Sequence, residues 1–329
     1  MNSNVYILCM GRSGSTLLQQ MLNQHPLICS PPESRFILHL MDAYGDITNW
    51  TPELKLQFIQ DLYTDSKFKM QWNIPAITVK KKLLDAPSQT TFINICNLVR
   101  SCFKFNNQEK FPTIFVDKNP MYSLFTSKIL SNNHEAKVIH LIRDPRGVIN
   151  GQINTLKKSN IFFLCQHWVY MNSNIDLVSR NNGVEYIRVF YEDLITSPQK
   201  TLKEICLFLG IDYSVKLLEH TSGFGAFYRK QNEPFNTTHQ SVQKPLSLEI
   251  AEKWKKNLTE DQLLKISNGC HSLANSYGYK FKYKKNTLRL KLGFFLGKFE
   301  MHIKYFITRA FFTLPLRIRK FIFALKNKV

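Results

Sequence analysis

The first two dozen residues constrain this chain most. Val5-Tyr6-Ile7-Leu8-Cys9 is an unbroken apolar run, and it gives way to Gly11-Arg12-Ser13-Gly14 and then to Ser15-Thr16-Leu17-Leu18-Gln19-Gln20-Met21-Leu22-Asn23. A short apolar run bounded by a glycine turn reads as a strand buried on both faces. Hydroxyl residues at the start of the next segment, and His25-Pro26 beyond its end, bound a helix. Strand, tight turn and helix are the opening of an α/β fold. The turn also has the makings of an anion cradle. Backbone N–H groups at a helix N-terminus converge on one point, and Gly11 and Gly14 let the chain come close to it. Ser13, Ser15 and Thr16 add hydroxyl donors, and Arg12 adds a charged fork. On the loop alone, a serine-rich structural turn is the competing reading.

The pattern recurs downstream. Thr113-Ile114-Phe115-Val116 predicts a second strand ending at Asp117-Lys118-Asn119-Pro120, followed by helical Leu124–Leu130. Lys137–Ile142 predicts a third, ending at Arg143-Asp144-Pro145-Arg146-Gly147, and Tyr186–Phe190 a fourth, running into Tyr191-Glu192-Asp193-Leu194. Ser197-Pro198 then starts a helix that stops at Gly210. Strands alternating with helices imply a parallel sheet covered on both faces, with ligands at the carboxyl ends of its strands. Residues 40–110 break the alternation. Leu54, Phe58, Ile59 and Leu62, and again Phe92, Ile95, Cys96 and Val99, have helical spacing, so a helical insertion is expected there.

Charge separates the body from the tail. The 329 residues carry 44 Lys and Arg against 24 Asp and Glu, a formal +20, and residues 284–329 contribute +11 of it. Such an excess calls for an anionic partner: a phosphorylated small molecule, an acidic membrane face or a nucleic acid. No helix-turn-helix, zinc-finger or RNA-binding signature is present, and nucleic acid is not expected. The expected division is a body at 1–283 and a basic tail at 284–329. In the tail, Leu288, Leu292, Phe295, Phe299, Ile303, Phe306 and Ala310 recur at steps of three or four, with a break at Pro315. Three readings remain open: an in-plane anchor on anionic lipid, a helix packed on the fold or on a second copy, and a nucleic-acid arm. Seven scattered cysteines without a C-x-x-C pair fit neither a disulfide framework nor a zinc site. No apolar run approaches a membrane span. The expected location is cytoplasmic, with peripheral membrane contact through the tail.

Two motifs carry a family resemblance. Met10-Gly11-Arg12-Ser13-Gly14-Ser15-Thr16-Leu17-Leu18 resembles the 5′-phosphosulfate loop of sulfotransferases that use 3′-phosphoadenosine-5′-phosphosulfate (PAPS). Arg143-Asp144-Pro145-Arg146-Gly147-Val148 resembles their 3′-phosphate motif. The resemblance spans roughly residues 4–280 and is nearest the bacterial and protein-tyrosine branch. It implies a P-loop-like sheet, PAPS as co-substrate and no metal. It implies Arg12, Ser13, Gly14, Ser15 and Thr16 around the phosphosulfate, and Arg143 on the 3′-phosphate. Glu33, in Pro32-Glu33-Ser34-Arg35, matches the catalytic base. Lys118 matches a lysine that offsets charge on the bridging oxygen. Tyr191 and Lys244 match residues close to the nucleotide. One departure stands out: the family commonly has serine eight residues after the motif arginine, and this chain has Gly151.

Each of these residues also has a plainer reading. Glu33 could be a solvated loop residue, Lys118 a solvated strand end, Arg143 a partner of Asp144 or Glu192, and Tyr191 packing under the sheet. His140 is expected in the core. Phe162, Phe163, Trp168 and Tyr170 either line an acceptor cleft or pack. The implied reaction is in-line sulfuryl transfer to a small-molecule or lipid-linked hydroxyl (glycan, lipid or sterol, or tyrosyl). A P-loop-type kinase is the rival from the same fold class, and the absence of G-x-x-x-x-G-K-[ST] argues against it. A protein that binds membrane or nucleic acid through its tail is the rival from another class.

Overall fold

The computed structural model describes residues 3–104, 112–131, 133, 135–221, 244–281 and 287–326, with side chains as far as 322. Five parallel strands form one sheet in the order β2-β3-β1-β4-β5. They are β1 (Ser3–Leu8), β2 (Ile28–Cys29), β3 (Ile114–Lys118), β4 (Lys137–Ile142) and β5 (Tyr186–Phe190). All four strands expected from the sequence are present. The fifth, β2, is two residues long, too short to show a period, and it pairs with β3 at the sheet edge.

β1 lies at the centre and is buried along nearly its whole length. Tyr6 and Leu8 face one apolar layer while Val5 and Ile7 face the other, the alternation of a strand covered on both sides. Because β3 and β4 flank β1, the chain leaves the central strand in opposite directions across the sheet. Such a switch point opens a crevice at the strands' carboxyl ends. The register sets Ile7 beside Lys118 and Leu8 beside His140, which brings three strand ends to one rim.

The expected insertion is helical: Phe36–Tyr44, Pro52–Leu62, Ala76–Leu84 and Phe92–Ser101, with a short π turn at Phe68–Trp72. Thr51 and Thr91 cap two of these helices, each accepting from a backbone N–H three residues on. His140 is fully buried, as expected, and its ring meets Asp176 Oδ1 at 2.9 Å and Asn172 Oδ1 at 3.0 Å. Trp168 and Phe163 are core residues, and Phe162 and Tyr170 pack against Phe294 and Tyr305 of the tail. All seven cysteines are free.

The tail forms helices Leu288–Thr313 and Leu316–Lys326, broken at Pro315 as expected. The first lies along helix Ile161–Asn181. A Cβ on Gly297 would stand 2.6 Å from the carbonyl carbon of Phe162, so glycine is what allows so close an approach. Across this seam the ring nitrogen of His167 bonds the Tyr305 hydroxyl, and Arg309 donates to Tyr170 Oη at 2.8 Å. The boundary expected at 283/284 lies outside the described residues.

Candidate active site

The turn after β1 is wound tightly. Ser13 N donates to the Met10 carbonyl at 3.2 Å, and the N–H groups of Leu17 and Leu18 return to the Gly14 carbonyl. Arg12 has φ 78° and Gly14 has φ 93°. For arginine this is a strained conformation, costing on the order of 1–2 kcal/mol, of the kind that gathers at ligand clamps. At Gly14 a side chain would also strike Tyr191, whose Cδ2 lies 2.2 Å from an ideal Cβ.

The second motif sits against the first. Arg143 Nη1 donates to the Arg12 carbonyl at 3.1 Å, and Nη2 donates to the Ala251 carbonyl at 3.3 Å. Its guanidinium lies 4.1 Å from the centre of the Tyr191 ring. The carboxylates that competed for Arg143 in the sequence are engaged elsewhere. Asp144 takes a forked pair from Arg146, with Nη2 to Oδ2 at 2.5 Å. Glu192 accepts from the backbone N–H of Asp144 at 3.1 Å and from Tyr279 Oη at 2.7 Å. Arg146 is further held between the rings of Trp254 and Phe281, at 4.2 and 4.4 Å. It therefore braces the corner, beside a cavity of about 730 Å³ that it helps to line.

The Nε atoms of both Arg12 and Arg143 are buried with no protein partner. Burial pushes the Arg12 guanidinium below its ordinary pKa, and the neighbouring charge of Arg143 pushes it further the same way. Two like charges are thus drawn together with buried donors to spare, an arrangement that favours negative charge between them. Gly151, where a serine was expected, has its own explanation. An ideal Cβ there would come 3.1 Å from Arg12 Cβ and 3.4 Å from Arg12 Nε, so the missing side chain leaves room for the arginine. Gln152, one residue on, donates to the Gly11 carbonyl at 2.8 Å and fixes the turn from the other side.

At the opposite end of the turn, Lys118 Nζ reaches Thr16 Oγ1 at 3.3 Å and Glu33 Oε1 at 2.5 Å. Lys118 is buried, whereas the Glu33 side chain keeps 27% of its surface and has a second cation, Lys67, at 3.6 Å. Neither residue is the solvated bystander of the plainer readings.

The segment carrying Glu33 is clamped from four directions. Gln19 donates to the Pro31 carbonyl at 2.5 Å, and Asn23 exchanges two hydrogen bonds with Ser30. Trp72 Nε1 donates to the Pro32 carbonyl at 2.8 Å. Asn119 Nδ2 and Tyr122 Oη both donate to the Ser34 carbonyl, while Asp65 accepts from Ser34 Oγ and Arg35 N at 2.9 Å each. Beneath Lys118, the buried pair Arg100–Asp117 closes at 2.8 Å.

The sequence missed these supports. Gln19 in helix Ser15–Leu22 and Asn23 at its C-cap, buried polar residues one turn apart, are the available signal. Nothing local marked Asp65, Lys67 or Trp72. Lys244 is exposed, and its carbonyl lies 3.2 Å from His220 Nε2; Val242 and Gln243 lie outside the described residues.

Fold and site together define an α/β protein that gathers two arginine-bearing strand ends and a Lys–Glu pair at one sheet rim. Residues 4–215 match the sulfotransferase family, and the chain belongs to that family, whose members transfer sulfuryl groups. It is similar to carbohydrate sulfotransferase 1 of Rattus norvegicus, 22% identical across 87% of this chain and 82% of that one. It is also similar to protein-tyrosine sulfotransferase A of Caenorhabditis elegans, 25% identical across 78% of this chain and 62% of that one. Among solved structures, the sulfotransferase domain of the Synechococcus PCC 7002 olefin synthase superposes with a TM-score of 0.57 at 27% identity, covering 85% of this chain and 96% of that one. Of three curated relatives with strong matches, the chain spans 56%, 82% and 41% of their own lengths.

Proposed function

We propose that this protein moves the sulfuryl group of PAPS to a hydroxyl acceptor, with Glu33 as general base. The observation that carries the reading is the placement of Glu33 and Lys118 together at the Thr16 end of a turn whose other side meets Arg143. The phosphosulfate would lie on the Gly11–Thr16 turn and the 3′-phosphate against Arg143, meeting the unpartnered Nε atoms there. As the acceptor oxygen attacks sulfur, Glu33 takes its proton. The bond from sulfur to the phosphate oxygen breaks in line, and Lys118, Arg12 and the turn's N–H groups offset the charge left on that oxygen. The products are a sulfate ester and adenosine 3′,5′-bisphosphate.

The relatives named above act, by their names, on tyrosyl and carbohydrate hydroxyls, and an acceptor of one of these kinds is our reading here. A lipid-linked or sterol hydroxyl is the further acceptor to try.

The test is transfer of labelled sulfate from PAPS to pooled sugar, tyrosyl-peptide and sterol acceptors. Glu33→Ala and Lys118→Ala should each lose about 10²–10⁴ in kcat. Both should keep the affinity for adenosine 3′,5′-bisphosphate within a small factor, while Arg143→Ala should lose that affinity. Undiminished turnover in the Glu33 or Lys118 variant overturns the assigned roles, and absence of transfer to every acceptor overturns the reaction.

A further inference from the structure

Helix Leu288–Thr313 has two apolar faces, and the body of the protein uses one of them. Leu290, Gly297, Met301, Tyr305 and Phe312 are buried, packed against the fold. At about 100° per residue these positions cluster on one side of the helix. Leu292, Phe295, Leu296, Phe299, Ile303 and Phe306 cover an arc of about 100° on the opposite side. All six are exposed, Phe295 at 66% and Phe306 at 73%. Lys291, Lys298 and Arg309 run along one flank of this stripe, and Arg289 lies on the other. The next helix also exposes Ile318 and Phe321.

A row of large apolar side chains in water marks a surface that something covers. We infer that this face lies in the plane of a membrane containing anionic lipid, with phenylalanines in the headgroup–acyl boundary and flanking cations on lipid phosphates. The chemistry singles out this occupant. Residues 284–329 hold twelve cations and one acid, Glu300, which is engaged by Lys304 and Asn160; Arg319 and Lys320 turn inward to Asp42 and Asp61, and among the described residues the rest of the excess is left to the surface. A second copy docking by two-fold symmetry would bring these cation rows toward each other, a like-charge juxtaposition that opposes association. Anionic lipid neutralises the same rows, each Lys or Arg near the surface adding about fivefold to partition. Among the described residues no helix is long and apolar enough to cross a membrane, so the helix lies flat. Its inner face keeps it joined to helix Ile161–Asn181, so the anchor is part of the body's surface and not a tethered tail.

The test uses the full chain in flotation with phosphatidylcholine vesicles, with and without phosphatidylserine. The protein should float with the anionic vesicles, far less with neutral ones, and progressively less as salt is raised. The triple variant Phe295→Ser/Phe299→Ser/Phe306→Ser touches only the outer face. It should lose about a hundredfold in partition while its thermal midpoint stays put. Equal flotation with neutral and anionic vesicles overturns the inference, as does unaltered flotation of the triple variant. A dimer that this variant dissociates, without vesicle binding by the parent protein, assigns the face to a second copy and overturns it too.

Discussion

Gly14→Ala probes the contact that joins the turn after β1 to the ring under Arg143. Gly14 caps helix Ser15–Leu22 from the left-handed region, at φ 93° and ψ 13°, where any other residue pays about 1–2 kcal/mol. The new methyl would also stand 2.2 Å from Tyr191 Cδ2 and 2.5 Å from Cε2. The ring must therefore move. It is buried and carries Arg143 on its face, so its displacement amounts to local overpacking of about 1–3 kcal/mol. Together the two effects should lower unfolding free energy by about 2–5 kcal/mol. Because Arg143 loses its platform, affinity for adenosine 3′,5′-bisphosphate should fall about tenfold. Tyr191→Ala separates the effects. Alone it should cost about 3–5 kcal/mol as a truncated buried aromatic. In the double variant the collision is gone and the backbone strain remains, so the two substitutions together should cost about 1–3 kcal/mol less than their sum. Urea unfolding of the parent and three variants, with calorimetric titration of the bisphosphate, measures both quantities. Additivity within about 0.5 kcal/mol, or unaltered affinity in Gly14→Ala, would refute the reasoning.

Two further predictions concern stability. Burial lowers the pKa of His39 to about 4, with the charge of Arg319 acting in the same direction, and burial lowers that of His167 to about 3. An unfolded histidine titrates near 6.5, so below about pH 6.5 the unfolded chain takes up protons that the folded one refuses. Stability should therefore fall as pH drops from about 6.5 toward 4, by up to about 1.4 kcal/mol per pH unit for each ring. Urea midpoints that hold level or rise across that window would contradict the sign. Arg100→Met should cost about 3–5 kcal/mol, because it strands buried Asp117, and adding Asp117→Leu should recover much of the loss. A single variant within about 1 kcal/mol of the parent would show that the pair is not what holds Asp117.

What the sequence made legible was local. The apolar run at Val5–Cys9, the turn and the helix after it are set by neighbours in the chain, and so is the motif at Arg143–Gly147. Their meeting at one rim followed from a general rule of parallel sheets, and the structure places Arg143 on the Arg12 carbonyl. The Glu33 clamp was not legible. Its members come from helix Ser15–Leu22, the π turn near Trp72, the loop at Asp65 and the end of β3, and no spacing in the sequence connects them. Gly151 shows the same limit in small. Read along the chain it is a missing hydroxyl, and only the approach of Arg12 shows what its bareness accommodates.

The tail sharpens the point. The stripe Leu288, Leu292, Phe295, Phe299, Ile303, Phe306 is the strongest periodic signal in its region, and a soluble helix normally turns such a stripe inward. Here the core holds the opposite face, through Leu290, Met301, Tyr305 and two glycines that let Phe162 close in. Periodicity reports that a face is apolar; which surface covers it is decided by shape. Gly293 and Gly297 mark the packed side, since a flat small-residue strip fits against a neighbouring helix, whereas a ridge of phenylalanines does not fit that seam. Had the stripe been the packed side, those glycines would face water and the phenylalanines would have to fit where Gly293 and Gly297 now let Phe162 close in. The packing that joins the helix to the body is therefore also what leaves the apolar ridge exposed.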